Sequence, residues 1–293
     1  MITSDLRIIR LSEHLLGFYD GRGPATVSAP IDNWVDDGAL SLGICSYAVV
    51  DGADAIVYDT HVSVAHARAI RESLEQLGVR RFRVVLSHWH LDHIAGNEVF
   101  ADCEIIANRT TGALLAEHRG AIEAGTHHGP PAIAPLLLPT TLFDQRLGLE
   151  MPNLQVELVQ FDIHSRDATV LWLPESGILL AGDTVEDTVT YVSEPDRLEI
   201  HIAELERMRG LGAGRILPNH GSRDVIEGGG YAETLIDATQ RYIGDLLLTA
   251  GKPLERVSDL RAFIAGQLAA GSLTWFEPYE RVHHGNLAAV RAR

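Results

Sequence analysis

Four side chains that could bind a metal ion lie within six residues of one another. They are His88, His90, Asp92 and His93, in the run Ser-His-Trp-His-Leu-Asp-His. Alternate residues of an extended segment point to one side, so positions 88, 90 and 92 are expected to face one centre. His93 begins the following helix and can turn toward a second centre. Imidazole suits zinc and iron, and so many polar groups on one loop would be costly to bury without a metal.

The elements that precede this cluster must position it. An Asp-Gly turn between apolar runs at 44–50 and 55–58 predicts a hairpin. Apolar residues at steps of three and four over 67–77 predict a helix, and the short apolar run at 82–86 predicts a strand that is buried on both faces. The four side chains therefore follow the carboxyl end of a buried strand, where open α/β sheets place their sites.

The second half of the chain repeats this outline of strands followed by helices. Strands are predicted at 154–163, 168–173, 178–181 and 215–218, with helices from Ser193 onward and from Tyr231 to the C-terminus. We expect a single α/β domain over residues 1–293, made of two similar halves. It would carry a surface insert at about 108–150, helical to about Ala124 and irregular after it, and a helical C-terminal part at about 229–293.

Composition excludes several classes of protein. The 293 residues include 24 Lys and Arg against 40 Asp and Glu, a net charge of −16 that would repel a nucleic acid. The two cysteines, Cys45 and Cys103, form no disulfide framework. We find neither a secretory signal pattern nor an apolar stretch of about 18 residues. We therefore expect a cytoplasmic protein that binds neither nucleic acid nor membrane.

The histidine cluster resembles the His-x-His-x-Asp-His signature of the metallo-β-lactamase superfamily. Residues that are similar to the later family ligands follow in order: His164 before a strand, Asp183 after Leu-Ala-Gly and His220 before a glycine. Asp59 resembles the early family Asp that supports the site from behind the ligands. The resemblance covers about residues 40 to 225 and implies a four-layer αβ/βα sandwich of two similar halves.

The resemblance also implies how two metal ions would be bound. One ion would be held by His88, His90 and His164, the other by Asp92, His93 and His220, with Asp183 bridging the two. Zinc is the expected metal, with manganese and iron as alternatives. Asp92 is expected to take part in catalysis, beside a hydroxide that bridges the ions.

This ligand set implies a dinuclear hydrolase that cleaves an ester, thioester, lactone or amide bond in a small molecule. His90, where diiron flavoprotein relatives carry Glu, argues against oxygen or nitric-oxide reduction. Asp183, where many true β-lactamases carry Cys, argues against antibiotic hydrolysis. One alternative is a mononuclear iron dioxygenase of the persulfide-oxidising branch, which leaves the second ligand set largely free of metal. Another is a non-catalytic binding protein that retains the fold.

Substrate contacts are harder to predict. Lactonase relatives often carry a Tyr where this chain has Glu186, and Tyr191 lies farther on, so lactone opening stays open. His127 and His128 are expected to overhang the site, in a segment at about 124–138 that forms one wall of the pocket. Its Pro-Leu-Leu-Leu-Pro run at 135–139 is expected to expose apolar surface, with a contact between identical chains as the alternative role.

The remaining histidines are predicted to have no ligand role. Five are expected to be surface or helix residues, namely His14, His61, His66, His118 and His201.

Overall fold

Two β-sheets form the centre of the molecule, in a computed structural model that describes residues 6–23, 33–249 and 251–293. The first sheet has the strand order β1-β2-β3-β4-β5-β6-β7 and the second β12-β11-β10-β9-β8. The strands are β1 (Arg7–Arg10), β2 (Leu15–Asp20), β3 (Ile44–Asp51), β4 (Asp54–Tyr58), β5 (Arg81–Val85), β6 (Glu104–Asn108), β7 (Thr141–Phe143), β8 (Arg146–Glu150), β9 (Gln155–Gln160), β10 (Thr169–Leu173), β11 (Ile178–Gly182) and β12 (Arg215–Pro218). Strands β4 to β7 are parallel, as are β11 and β12.

Alternating side chains of the strands fill two separate cores. In β4, Ile56 and Tyr58 belong to the core that the two sheets share, whereas Ala55 and Val57 pack with the helices on the outer face. This period of two follows from the pleat of a strand. Because both faces are covered, the strand is apolar almost throughout, as the sequence predicts.

Helices cover the outer face of each sheet. They are α1 (Val64–Gln76), α2 (Leu91–Ile94), α3 (Arg109–Glu123), α4 (Leu198–Arg209), α5 (Arg223–Glu227), α6 (Thr234–Leu247), α7 (Leu260–Phe263), α8 (Ala265–Ala269) and α9 (Tyr279–Arg291). The apolar faces of α1 and α3 pack on the first sheet, and those of α4, α6 and α9 pack on the core of the second. The resulting order of helix, sheet, sheet and helix confirms the predicted α/β sandwich.

Two buried tyrosines connect the sheets. The hydroxyl of Tyr47 in β3 donates to the carbonyl oxygen of Pro218 at 2.6 Å, and that of Tyr58 in β4 donates to Thr169 at 2.5 Å. Both phenol groups belong to the first sheet and both acceptors to the second. The two sheets are therefore hydrogen-bonded to each other through side chains as well as packed.

The insert predicted at 108–150 is less irregular than expected. It contains α3, the edge strand β7 of the first sheet and the edge strand β8 of the second. Only residues 124–140 form a loop, because the flanking segments pair with the sheets. The helix expected to about Ala124 is present as α3, whereas the irregular structure expected after it was wrong at β7 and β8.

The apolar run of this loop does not form an exposed surface. Leu136 is buried, and Leu137 and Leu138 are half-buried against the core under α1 and α3. The loop returns along α3, since the backbone nitrogen of Leu136 donates to Glu123 at 3.0 Å. The prediction of an exposed apolar patch was wrong. Because that patch was the reason to expect a contact between identical chains here, the loop no longer supports such a contact.

The sequence also gave no indication of a π-helical segment at Trp34–Leu40. Asn33 caps it by accepting a hydrogen bond from the backbone nitrogen of Asp36 at 2.9 Å. No helix among the described residues is both long and apolar enough to span a membrane.

Candidate metal centre

The predicted site residues come together at one edge of the two sheets. Asp59 follows β4, the histidine cluster follows β5, Asp183 follows β11 and His220 follows β12, all at carboxyl ends of strands. His164 lies between β9 and β10. The sheets face each other, so these strand ends meet, although the residues are far apart in sequence.

Three histidines form the first group of potential ligands, with Asp183 beside them. The ligand atoms of His88, His90, His164 and Asp183 all lie within 4.8 Å of one another. Nδ1 of His90 is 3.1 Å from Nε2 of His164. Oδ2 of Asp183 is 3.6 Å from Nε2 of His88 and 3.7 Å from Nε2 of His164.

Asp92, His93 and His220 form the second group. Nε2 of His220 lies 3.1 Å from Oδ2 of Asp92, and Nε2 of His93 lies 3.5 Å from Oδ1 of the same residue. Oδ2 of Asp183 is 3.1 Å from His93 and 3.6 Å from His220. A single oxygen of Asp183 therefore lies between the two groups.

One detail of the predicted geometry needs correction. Asp92 does not continue the alternation of His88 and His90, because α2 begins at Leu91. As consecutive residues of this helical turn, Asp92 and His93 both reach the second group. The structure thus brings all seven predicted ligands together in the two sets that were expected.

Outer contacts orient most of the imidazole rings. Nδ1 of His88 lies 2.9 Å from Oγ of Ser87, Nδ1 of His164 lies 3.1 Å from the carbonyl oxygen of Tyr191, and Nδ1 of His220 lies 2.7 Å from that of Gly43. A hydrogen bond at Nδ1 fixes the ring and leaves Nε2 free to face the centre.

Asp59 performs this role for His93, as its resemblance to the family implies. Its Oδ2 accepts a hydrogen bond from His93 Nδ1 at 2.9 Å and from the side-chain amide of Asn219 at 2.6 Å. Its Oδ1 accepts from the backbone nitrogen of Ser87 at 2.7 Å. Asp59 is fully buried. Ser87 and Asn219 were not singled out in the sequence, although each directly precedes a predicted ligand.

Unpaired atoms in the centre fit a cation. Nε2 of His88 and Oδ1 of Asp183 are buried, yet neither forms a hydrogen bond with any described residue. Leaving such groups unpaired is unfavourable, whereas a metal ion would satisfy both. Five imidazoles and two carboxylates are also the donor set that divalent zinc, manganese or iron accepts.

The pKa values of the histidines are shifted down in the first group and up in the second. Burial is the main reason that the pKa values of His88, His90 and His164 are lowered, so these rings are neutral, as metal ligands must be. Burial also opposes the charged form of His220, but Asp183 and Asp92 outweigh it and raise its pKa to about 9.

The same carboxylates raise the pKa of His93 well above its ordinary value, against the effect of burial. Burial favours the neutral form of Asp92 and Asp183, but the neighbouring histidines outweigh it and hold both pKa values below their ordinary range. The second group thus has an excess of negative charge that attracts positive charge, either protons or a metal ion.

A cavity of about 690 Å³ opens onto the centre. His127 and His128 line it, which places the predicted substrate-binding pair at the site. Glu186 also lines the cavity, and burial raises its pKa to about 8. Trp34 and Val282 lie in the lining as well, from opposite ends of the chain, and no sequence signal identified them.

The other histidines do not join the centre, but their predicted setting was partly wrong. His61 lies in a loop and is fully buried, with its ring stacked on that of His66 at 4.5 Å. His66 contacts Asp20 at 2.8 Å. His201, in α4, is also buried and lies 3.6 Å from Asp162. His66 is hydrogen-bonded at both ring nitrogens, to Ser63 and Asp20, whereas Nε2 of His61 and Nε2 of His201 have no hydrogen-bond partner among the described residues.

Comparison with known proteins agrees with this geometry. Residues 42–220 match the family model of the metallo-beta-lactamase superfamily, which is more than half of the chain and includes all seven ligands. The protein belongs to this superfamily. A beta-lactamase-like protein 2 homolog of Caenorhabditis elegans is 24% identical over 181 residues, 61% of this chain. The match spans 56% of that relative's length.

Solved structures show the same fold at low sequence identity. VMB-1 at pH 5.5 has a TM-score of 0.62 at 16% identity, over 83% of this chain and 99% of its own. A metallo-beta-lactamase from Pontibacter korlensis has a TM-score of 0.60 at 16% identity, over 80% of this chain and 96% of its own. The DIM-1 metallo-beta-lactamase has a TM-score of 0.58 at 20% identity, over 81% of this chain and 99% of its own.

Proposed function

We propose that this protein is a dinuclear metal-dependent hydrolase of an ester, thioester, lactone or amide bond in a small molecule. The observation that carries the proposal is the position of Asp183, whose Oδ2 lies within 3.7 Å of a histidine nitrogen from both ligand groups. A carboxylate in that position can serve two ions at once. A mononuclear centre would not need the second group.

The residues that would hold the ions follow from the two groups. His88, His90 and His164 would bind one divalent ion, Asp92, His93 and His220 the other, and Asp183 would contact both. Bound there, the two ions would polarise the substrate carbonyl and lower the pKa of a water molecule so that it can attack near neutral pH.

Asp92 is the group of this chain best placed to handle the proton of the attacking water. Its side chain is 19% exposed and lines the cavity, whereas that of Asp183 is 4% exposed. The low pKa of Asp92 keeps it ionised, so its oxygens can accept a hydrogen bond from a water molecule in the cavity. Asp59 holds the ring of His93 in place behind it.

Metal content and activity should be measured on the same preparations. We expect two zinc, manganese or iron ions per chain and hydrolysis of at least one member of a panel of uncharged esters, thioesters, lactones and amides. His220→Ala should lose one ion and most of the activity. The matched control is His284→Ala, an exposed histidine on α9 whose replacement should change neither quantity.

Two results would contradict the proposal. One is a single iron per chain, with no second ion bound after zinc or manganese is added, together with oxygen consumption in the presence of a persulfide. The other is full loading with two ions and no hydrolysis of any panel member.

A further inference from the structure

The wall of the cavity is largely apolar and aromatic outside the metal ligands. It includes Trp34, Ala39, Leu42, Trp89, Leu91 and Val282. An apolar wall beside a reaction centre binds the part of a substrate that does not react. The identity of that part depends on which charges the wall also offers.

Charged side chains in the wall are paired within the protein. Arg281 is the one permanently cationic side chain among the described lining residues, and it donates to the backbone carbonyl of Asp37, with Nη1 3.8 Å from that residue's carboxylate. Glu194 accepts from the backbone nitrogen of Arg166 at 2.8 Å. The guanidinium groups of Arg166 and Arg197 lie 3.7 and 3.9 Å from its carboxylate.

Glu186 is occupied by neutral donors. One oxygen accepts from the backbone nitrogen of Tyr191 at 2.8 Å and from the hydroxyl of Thr190 at 3.4 Å. The other accepts from the hydroxyl of Tyr279 at 3.4 Å. These contacts use both carboxylate oxygens, so Glu186 is already hydrogen-bonded without a substrate.

The sequence limits which cationic side chains the residues outside the described ranges could add to the cavity. Residues 24–32, which directly precede the lining residue Asn33, contain no Lys, Arg or His. The same holds for residues 1–5 and for Ala250. No side chain outside the described residues can therefore supply a cationic partner for an anionic substrate.

Trp89 provides a flat apolar surface next to the centre. It stands between His88 and His90 in the sequence and lines the cavity. Its ring stacks on that of His118 at 4.8 Å with 29° between the planes, and lies 5.1 Å from the ring of His127. These neighbours hold the indole in place, so it can pack against a substrate with little loss of side-chain entropy.

We propose that the substrate binds through an uncharged apolar acyl group, aliphatic or aromatic, that packs against Trp89. This inference rests on the proposed hydrolase function and names the substrate class. A charged group in this wall would lose its hydration without finding a free partner. The positive charge of bound metal ions does not change this, because it acts at the scissile bond and not along the wall.

Three 4-nitrophenyl esters of similar length provide the test. Their acyl groups are pentanoate, which is uncharged, the half-ester of glutarate, which is anionic, and 4-(trimethylammonio)butanoate, which is cationic. We expect the kcat/KM of the pentanoate ester to exceed those of both charged esters by about tenfold or more. Among uncharged esters, kcat/KM should rise about threefold to fourfold per methylene group from acetate to pentanoate.

Substitutions in the cavity wall test whether Trp89 causes the preference for uncharged acyl groups. Trp89→Leu should lower kcat/KM for 4-nitrophenyl benzoate by about tenfold while the metal content stays at the wild-type level. Trp275→Leu is the matched control, since Trp275 packs in the C-terminal part and does not line the cavity.

Gly285 allows a gain of function. It lines the cavity on α9, and a Cβ added there would meet no atom within 4 Å. Gly285→Lys should raise kcat/KM for the glutarate half-ester at least tenfold, whereas the uncharged control Gly285→Gln should not. Binding of butyl benzamide, measured by isothermal titration calorimetry, should be lost in Trp89→Leu and kept in Trp275→Leu.

The outcomes separate this inference from the proposed function. Hydrolysis of a charged ester as fast as the pentanoate ester by the wild-type protein would overturn the substrate class and leave the hydrolase function standing. Failure to hydrolyse any ester, thioester, lactone or amide, with butyl benzamide still bound through Trp89, would support the apolar wall and contradict the function. Equal benzamide binding in the wild type and Trp89→Leu would overturn the inference.

Discussion

Replacing Asp59 with Asn should weaken the second metal site selectively. Asn has the same shape and tolerates the left-handed backbone of this residue, whose φ is 66°, so strain does not complicate the result. Asp59 accepts hydrogen bonds from Ser87, His93 and Asn219. The Asn side chain has one acceptor oxygen. If it replaces Oδ2 it keeps His93 and Asn219 and only Ser87 loses its partner, and if it replaces Oδ1 it keeps Ser87 and the other two lose theirs.

The expected losses of stability and of metal affinity follow from these contacts. A buried donor without a partner costs about 1–3 kcal/mol, so with one or two such donors the metal-free protein should lose about 1–6 kcal/mol of unfolding free energy. His93 belongs to the second group alone, and loss of such a supporting hydrogen bond typically lowers metal affinity about 10–100-fold. The affinity of the first group should change much less.

A stepwise zinc titration against a competing chelator measures both affinities in one experiment. Ser87→Ala is the matched control, because it removes the Oγ contact of His88 and should weaken the first site instead. Equal weakening of both sites by Asp59→Asn, or an unchanged second site, would refute this account of the centre.

Three further predictions address the carboxylate, the pH dependence and the loop. Asp92→Ala should lower kcat by about a hundredfold or more while the protein stays folded, with a larger effect on catalysis than on stability. The exposed control Asp224→Ala should change neither, and near wild-type turnover would exclude a role for Asp92. Because the pKa of His220 is raised to about 9, its stabilising protonation is complete below about pH 6.5 and is lost as the pH rises toward 9. Chelator-treated wild-type protein should therefore lose on the order of 3 kcal/mol more unfolding free energy between pH 6.5 and 9 than chelator-treated His220→Asn does, and an equal loss in both would exclude this role of His220. A Gly-Ser replacement of residues 126–131, which leaves the buried Leu136 in place, should change the ranking of substrates, and an unchanged ranking would show that this loop is not a specificity wall.

The convergence of the proposed ligands could be predicted from the sequence because their positions depend on local rules. His88, His90 and Asp183 follow strands that the apolar runs identify, and strand ends converge at one edge of a sheet. The irregularity predicted after Ala124 was wrong at β7 and β8 for a related reason. Strands β7 and β8 are short edge strands, and such strands acquire their identity from the neighbour with which they pair.

The cavity wall could not be predicted in the same way. Trp34 and Val282 lie almost 250 positions apart in the sequence, and only the packing of α9 against the rest of the molecule brings them to one cavity. Burial of Leu136 likewise depends on a tertiary contact, because apolar residues between two prolines do not show whether a loop folds back on its own core.

The two tyrosines that link the sheets have a consequence for metal selectivity. Each ligand group draws on both sheets, so the spacing of the sheets controls the spacing of the ligands. A phenol ring is rigid, and the hydrogen bonds from Tyr47 and Tyr58 to Pro218 and Thr169 act as spacers of fixed length near the strand ends that carry the ligands. With the proposed ions bound, the centre would be a stiff chelator, in which an ion must adapt its coordination to the scaffold because the scaffold cannot adapt to the ion.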